Sequence, residues 1–357
     1  VDNLLNVKVL CTGISCSEKG VFMREFQDYC AWRGQPISFF DMGSHILNIA
    51  REQGLPLTTE KILDVDEKVL KLMRALAFER ITRELEKSSG PSFITIHACF
   101  RWRGLLLPGF DFNNLDRLRP DIYINIVDNL DDIKRRMQEN PQWRDKLNLN
   151  EINVWLDEEK FITQILAERY NKPYYLVSRQ HPLDNFYDLI FSNKKKVYLS
   201  YPITHIEREF PDKINKIREF GQYLRKYLVL FDPLDIKDTD LLLKQSDEEG
   251  QKIEYIDKTE AEKIETRTID RDYQFIYQSD MVIVLYPTEY LSPGVLSEMN
   301  FAHRYNKDVY AVFPYNPSPF FSRLCTQIFK NTGELVENFK KLGIIPEGEV
   351  TVPTIGF

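Results

Sequence analysis

TIDRDYQFIYQSDMVIVLYPTEYLSPGVLSEMNFA, residues 268–302, reads as a helix, a buried strand, a polar loop and a second helix. The run MVIVL at 281–285 is short, apolar and β-branched, and Pro287, Pro293 and Gly294 punctuate the segment after it. Asp272 is expected near the start of the first helix and Glu298 in the first turns of the second. In an α/β fold both carboxylates then approach the carboxyl edge of one parallel sheet, where such sheets keep their ligand crevices.

Around this stretch, length and composition set the bounds. A chain of 357 residues with 43% hydrophobic content has enough apolar surface for two cores at roughly 150 residues per domain. A formal net charge of −7 and a pI near 5.5 oppose strong nucleic-acid binding. There is no basic, apolar leader with a small-residue cleavage site and no run long enough to span a bilayer. A soluble, cytoplasmic protein without a membrane partner is therefore expected. The five cysteines and five histidines are scattered without metal-ligand spacing, so reduced thiols and no metal site are expected.

In the first half, strands are expected over 7–12, 37–41, 93–98, 122–127 and 174–177. Helices are expected over 21–33, 66–85, 130–138 and 150–170. This alternation implies right-handed crossovers and a helix-covered parallel sheet, assigned to residues 1–191. The first loop, GISCSEKG at 13–20, comes after a strand and opens a helix. Compared with a phosphate-binding P-loop it keeps Gly13 and Lys19, but has Glu18 at the second glycine and Gly20 in place of the magnesium-holding hydroxyl. Glu18 is expected to place negative charge where phosphate needs donors. His97 reads as a core histidine, and a reactive Cys16 is opposed by the neighbouring glutamate.

The setting resembles adenylate-kinase-like P-loop kinases over most of residues 5–180. Arg135, Arg136 and Arg144, followed by an acidic helix with Trp155, look like a kinase lid and its return. The resemblance implies a nucleotide at Gly13, Ser15, Ser17 and Lys19, with Arg101 and Arg144 as further contacts and ATP with magnesium as the ligand. An active kinase, a nucleotide sensor and a purely structural domain are the alternatives.

In the second half, SNKKK at 192–196 reads as a linker. A strand over 197–200, a helix over 206–227 and strands over 228–231 and 309–313 build a second domain at 195–335, with 336–357 as a tail. Residues 234–265, charged and polar, read as a lid or a solvated insertion. YLSYP with Tyr198, the pair Arg271 and Asp272, the strand MVIVLYP, and SPGVLSEMNFA with Glu298 together resemble the superfamily of nucleoside 2′-deoxyribosyltransferases and 2′-deoxynucleoside 5′-monophosphate N-glycosidases. The resemblance implies a flavodoxin-like three-layer α/β domain, a homo-oligomer, and cleavage of an N-glycosidic bond without a cofactor. Glu298 is then the nucleophile, Asp272 the proton donor or orienting group, and Tyr198 the holder of Glu298. Ser292, Gly294, Arg271 and Ser322 contact the nucleotide substrate, Ser322 in trans.

That chemistry suits the residue types, since a carboxylate below C1′ can capture an oxocarbenium-like sugar while an acid assists the leaving base. Pro202 departs from the monophosphate glycosidases because it lacks a backbone donor, which Thr204 or His205 could replace. Tyr201, Phe231 and Tyr286 are possible base-stacking partners. Base release to water from a nucleotide, foremost a deoxynucleoside monophosphate, is the leading expectation, followed by transfer of the sugar to a second base. NAD glycohydrolase action gated by the first domain, and non-catalytic nucleotide binding, complete the set.

Overall fold

The computed structural model describes residues 6–59, 61–236, 258–348 and 351–355. The chain divides into two compact units, Val1–Gln180 with Ile236–Thr268, and His181–Asp235 with Ile269–Phe357. Each is a helix-covered parallel α/β sheet.

In unit 1 the elements run β1 Lys8–Thr12, α1 Lys19–Trp32, β2 Ser38–Asp41, α2 Met42–Glu52, α3 Glu67–Leu85, β3 Ser92–Thr95, β4 Cys99–Trp102, β5 Leu105–Pro108, α4 Phe112–Leu118, β6 Ile122–Val127, α5 Leu130–Glu139, α6 Leu149–Arg169 and β7 Tyr174–Ser178. The sheet order is β2-β3-β1-β6-β7 and every pairing is parallel. β1, β3 and β6 are almost wholly buried, as their unbroken apolar runs require of strands covered on both faces. The β4–β5 hairpin has no counterpart among the expected strands. Its turn uses positive φ at both Arg103 (51°) and Gly104 (77°), a geometry usually signalled by Asn-Gly or Asp-Gly.

Unit 2 contains α7 Leu183–Phe191, β8 Lys196–Ser200, α8 Ile203–Glu209, α9 Pro211–Arg225, β9 Val229–Phe231, α10 Lys258–Gln278, β10 Met281–Leu285, α11 Pro293–Arg304, β11 Asp308–Val312, α12 Pro319–Arg323, β12 Gln327–Phe329 and α13 Thr332–Lys341. The first part of α10, to Thr268, counts with unit 1. The sheet order is β9-β8-β10-β11-β12, all parallel, which in chain order is 2-1-3-4-5. That is the flavodoxin-like order, with its switch point between β8 and β10.

Several boundaries differ from expectation. Unit 2 begins at His181 rather than after the SNKKK linker. The reason is α7, whose Phe186 and Ile190 are buried and whose Asn185 side chain bonds Leu228 O (2.8 Å) and Leu230 N (2.7 Å) on the edge strand. The expected helix over 206–227 is two helices, broken where Pro211 lacks an N–H to continue the ladder. Residues 336–357 are not a tail throughout, because Val336, Phe339, Ile345 and Ile355 enter the unit 2 core. Asp272 lies in the last two turns of α10, not near its start. Of the expected lid at 234–265, residues 237–257 lie outside the described residues.

Candidate functional site

In unit 2 the switch point is lined by β8. Tyr198 and Ser200 are two apart on the strand, so their side chains share one face, and both are fully buried. They converge on Glu298 in the second turn of α11. The Tyr198 hydroxyl donates to Glu298 Oε1 at 3.0 Å, and the Ser200 hydroxyl donates to Oε2. One carboxylate thus has both oxygens held by hydroxyls of a single strand. Burial and then the Asp272 charge push the Glu298 carboxyl up to about 8, against lowering by the Ser200 and Tyr198 hydrogen bonds. Tyr198 is raised well above the usual phenol range by its burial and by the Asp272 and Glu298 charges. Asp272 therefore acts on both partners of the Tyr198–Glu298 bond.

Asp272 is presented by α10, three residues before Phe275, whose ring lies 6.5 Å from that of Tyr198. Its neighbour Arg271, 5% exposed, donates Nε and Nη2 to Asp272 Oδ1, each at 3.1 Å. A guanidinium fixed beside a carboxylate orients it and favours its charged form. Ser292 precedes α11, and its N–H donates to the Tyr286 phenol at 3.0 Å while that phenol donates to Ser292 O at 3.3 Å. This closes the loop after β10. The Ser292 side chain caps no N–H of the helix, and a Cβ on Gly294 would meet only Ser292 Oγ at 3.7 Å.

Other expected contacts fall elsewhere. Ser322 is exposed on α12, so the structure does not bring it to Glu298 within one chain. Tyr201, Phe231 and Tyr286 are core side chains rather than stacking surfaces, being at most 3% exposed. Tyr201 instead donates to Asp232 at 2.8 Å. Beside Pro202, His205 Nε2 lies 3.5 Å from Thr288 Oγ1, and Lys213 bonds Pro287 O, so the segments after β8 and β10 are tied together.

In unit 1 the loop after β1 has a P-loop form despite its missing glycine. Cys16 (φ 64°) and Glu18 (φ 56°) both adopt left-handed backbone, and α1 starts at Lys19 with no side-chain cap. Alternation of this kind turns successive N–H groups into one concavity, an anion nest. Among the described residues, the N–H groups of Ile14, Ser15, Cys16, Glu18, Lys19 and Gly20 donate to no protein acceptor. Gly13 is required because a Cβ there would lie 2.7 Å from Ile126 O.

The Glu18 carboxylate lies 3.5 Å from Arg179 Nε, while its charge still acts on Cys16 in the loop. Lys19 Nζ, lowered to about 8 by burial, donates to Gly13 O at 2.8 Å and lies 3.0 Å from His97 Nε2. His97 is thus a partner of the loop lysine, half-buried rather than in the core as expected. Ser17 spends its hydroxyl on Ile14 O at 2.8 Å. Ser15 stays half-buried in the loop. Arg101 is paired with Glu158 through two bonds, and Arg144 is exposed and bonds Gln138 O, so neither reaches the loop. Arg136 does, through Cys16 O and Asp128.

Sequence reasoning missed two residues. Ser200 was legible as the i+2 neighbour of Tyr198. Glu159 sits on the apolar stripe of α6 with Ile152, Trp155, Thr163 and Leu166, and that misplaced charge was a signal. Its carboxylate, raised by burial, accepts from Gly13 N (3.0 Å), Ala98 N (2.8 Å) and Cys99 N (2.8 Å), which holds the loop against the start of β4. Magnesium does not fit in the usual way, since Gly20 has no hydroxyl. Asp41, whose Oδ2 would lie 3.8 Å from a Cβ on Gly20, is already bonded by Ser44 and Thr95.

A family model described as "AAA domain" matches residues 12–153. No curated protein matches the sequence. Among solved structures, shikimate kinase from Bacteroides thetaiotaomicron is 13% identical, with 48% of this chain and 86% of that chain covered and a TM-score of 0.31. A gluconokinase from Sinorhizobium meliloti 1021 is 14% identical, with 50% and 86% covered and a TM-score of 0.28. Residues 12–153 are thus similar to the AAA domain family, and the loop with the P-loop form lies at the start of that match. No helix among the described residues is long and apolar enough to cross a membrane.

Proposed function

We propose that unit 2 cleaves the N-glycosidic bond of a nucleoside or deoxynucleoside 5′-monophosphate. The observation that carries this reading is the Glu298 carboxylate, held by Tyr198 and Ser200 at the switch point of a 2-1-3-4-5 sheet with Asp272 close enough to perturb it. A Glu298 oxygen attacks C1′ as the C1′–N bond breaks, and the departing base, which carries off the bonding pair, takes a proton from Asp272 or from water. The glycosyl ester is then hydrolysed by water, returning the carboxylate. Ser292 and the N–H groups at the start of α11 receive the 5′-phosphate, with Ser322 supplied by a second copy in a homo-oligomer.

Base release measured by chromatography, with and without a second base as acceptor, tests this. Release to water that an acceptor does not accelerate is expected. Exchange outpacing release would replace the hydrolase by a transferase.

For unit 1 the reading is nucleotide binding without phosphoryl transfer, because the loop offers donors and Lys19 but no magnesium-holding hydroxyl. Lys19→Met is expected to weaken binding of a fluorescent ATP analogue by about tenfold or more, as loss of a charge-assisted bond does. Equal titration curves for the two chains would remove Lys19 from the site.

A further inference from the structure

The two hydroxyls that hold Glu298 differ in freedom. Tyr198 is fully buried and its hydroxyl rides on a rigid ring packed near Phe275. Ser200 is equally buried, but its hydroxyl turns about a single bond among staggered positions. Of the two, only the Ser200 hydroxyl can re-aim without moving a ring, so Oε2 is the oxygen we assign to the sugar, while Oε1 stays with Tyr198.

The stereochemistry of a β-nucleoside then decides what Ser200 meets. The base stands on one face of the furanose, and in-line displacement brings the carboxylate to C1′ from the other. A ribose carries its 2′-hydroxyl on that second face, beside the attacking oxygen. We propose that Ser200 makes unit 2 selective for an N-ribosyl 5′-phosphate over its 2′-deoxy counterpart, by exchanging its bond to Glu298 for one to the 2′-hydroxyl. This rests on the glycosidic-cleavage reading and narrows its substrate class.

In the step itself, Glu298 Oε2 forms the bond to C1′, the C1′–N pair leaves with the base, and the Ser200 proton stays on its oxygen. Once Oε2 is an ester oxygen it accepts weakly. The buried serine donor then needs another acceptor, which a 2′-deoxy sugar lacks and a ribose has. Sites with a buried partner for a substrate hydroxyl reject the analogue without it for this reason. Ribonucleoside monophosphates and the nicotinamide riboside half of NAD share the required group.

The test compares kcat/KM for base release from AMP against dAMP and CMP against dCMP, with nicotinamide release from NAD as a separate arm. The ribo form is expected to lead by about tenfold or more, as one hydrogen bond to a buried donor allows. In Ser200→Ala the ribo-to-deoxy ratio is expected to fall toward one, and Ser200→Thr should keep it. A wild-type ratio at or below one overturns the proposal, as does an unchanged ratio in Ser200→Ala. If that variant does not fold, the wild-type ratio decides. Should no substrate release a base, the cleavage reading fails and this proposal with it, whereas base release with a ribo-to-deoxy ratio at or below one overturns this proposal alone.

Discussion

Glu298→Ala is expected to reduce base release by roughly 10³-fold or more, the scale on which removal of a covalent nucleophile acts. Its partners Tyr198 and Ser200 would then point buried hydroxyls at an empty space, so some stability is lost as well. A circular-dichroism melt separates unfolding from loss of chemistry, because a folded, inactive variant is the expected result. Mass spectrometry of the wild-type chain quenched during turnover should find a glycosyl adduct on the peptide containing Glu298. A folded Glu298→Ala chain that releases base at the wild-type rate would remove the nucleophile from this site altogether.

The second large effect is the dependence on pH. Burial and the Asp272 charge hold the Glu298 carboxyl near 8 instead of 4.5, so the attacking carboxylate becomes abundant only as pH rises through that value. The rate constant kcat/KM is expected to climb with a midpoint near 8. Asp272→Asn should move that midpoint down. For stability the sign is opposite. Between 4.5 and about 8 the folded chain binds a proton that the unfolded chain does not, so the contribution of this group falls as pH rises across that window. Glu298→Gln, which cannot ionise, should have a flatter profile of chemical-denaturation stability from pH 5 to 8. Parallel wild-type and variant profiles would show that Glu298 titrates normally.

The legible parts of the site came from different signals. Tyr198, Asp272 and Glu298 were found as residue types within a spaced pattern, and the structure places Tyr198 and Glu298 in direct contact with Asp272 in electrostatic range. Arg101 misled because an exposed-looking cation beside Trp102 gives no hint of its carboxylate partner, Glu158, 57 residues away. The ion pair of Glu18 was hidden for a related reason, since its partner Arg179 is distant in the sequence.

The sequence by itself determined the alternation of strands and helices, because runs such as MVIVL at 281–285 admit only a strand covered on both faces. It also determined that a lysine closes the first loop and that two carboxylates flank β10. Only the tertiary structure decided that α7 belongs with the second sheet, that non-glycine residues shape the anion nest, and that Ser200 shares Glu298 with Tyr198. Each of these rests on atoms far apart in the chain, across 43 residues for Asn185 and Leu228 and 98 for Ser200 and Glu298. Local periodicity carries no information on which distant donor meets which acceptor. The packing of the sheet supplies it.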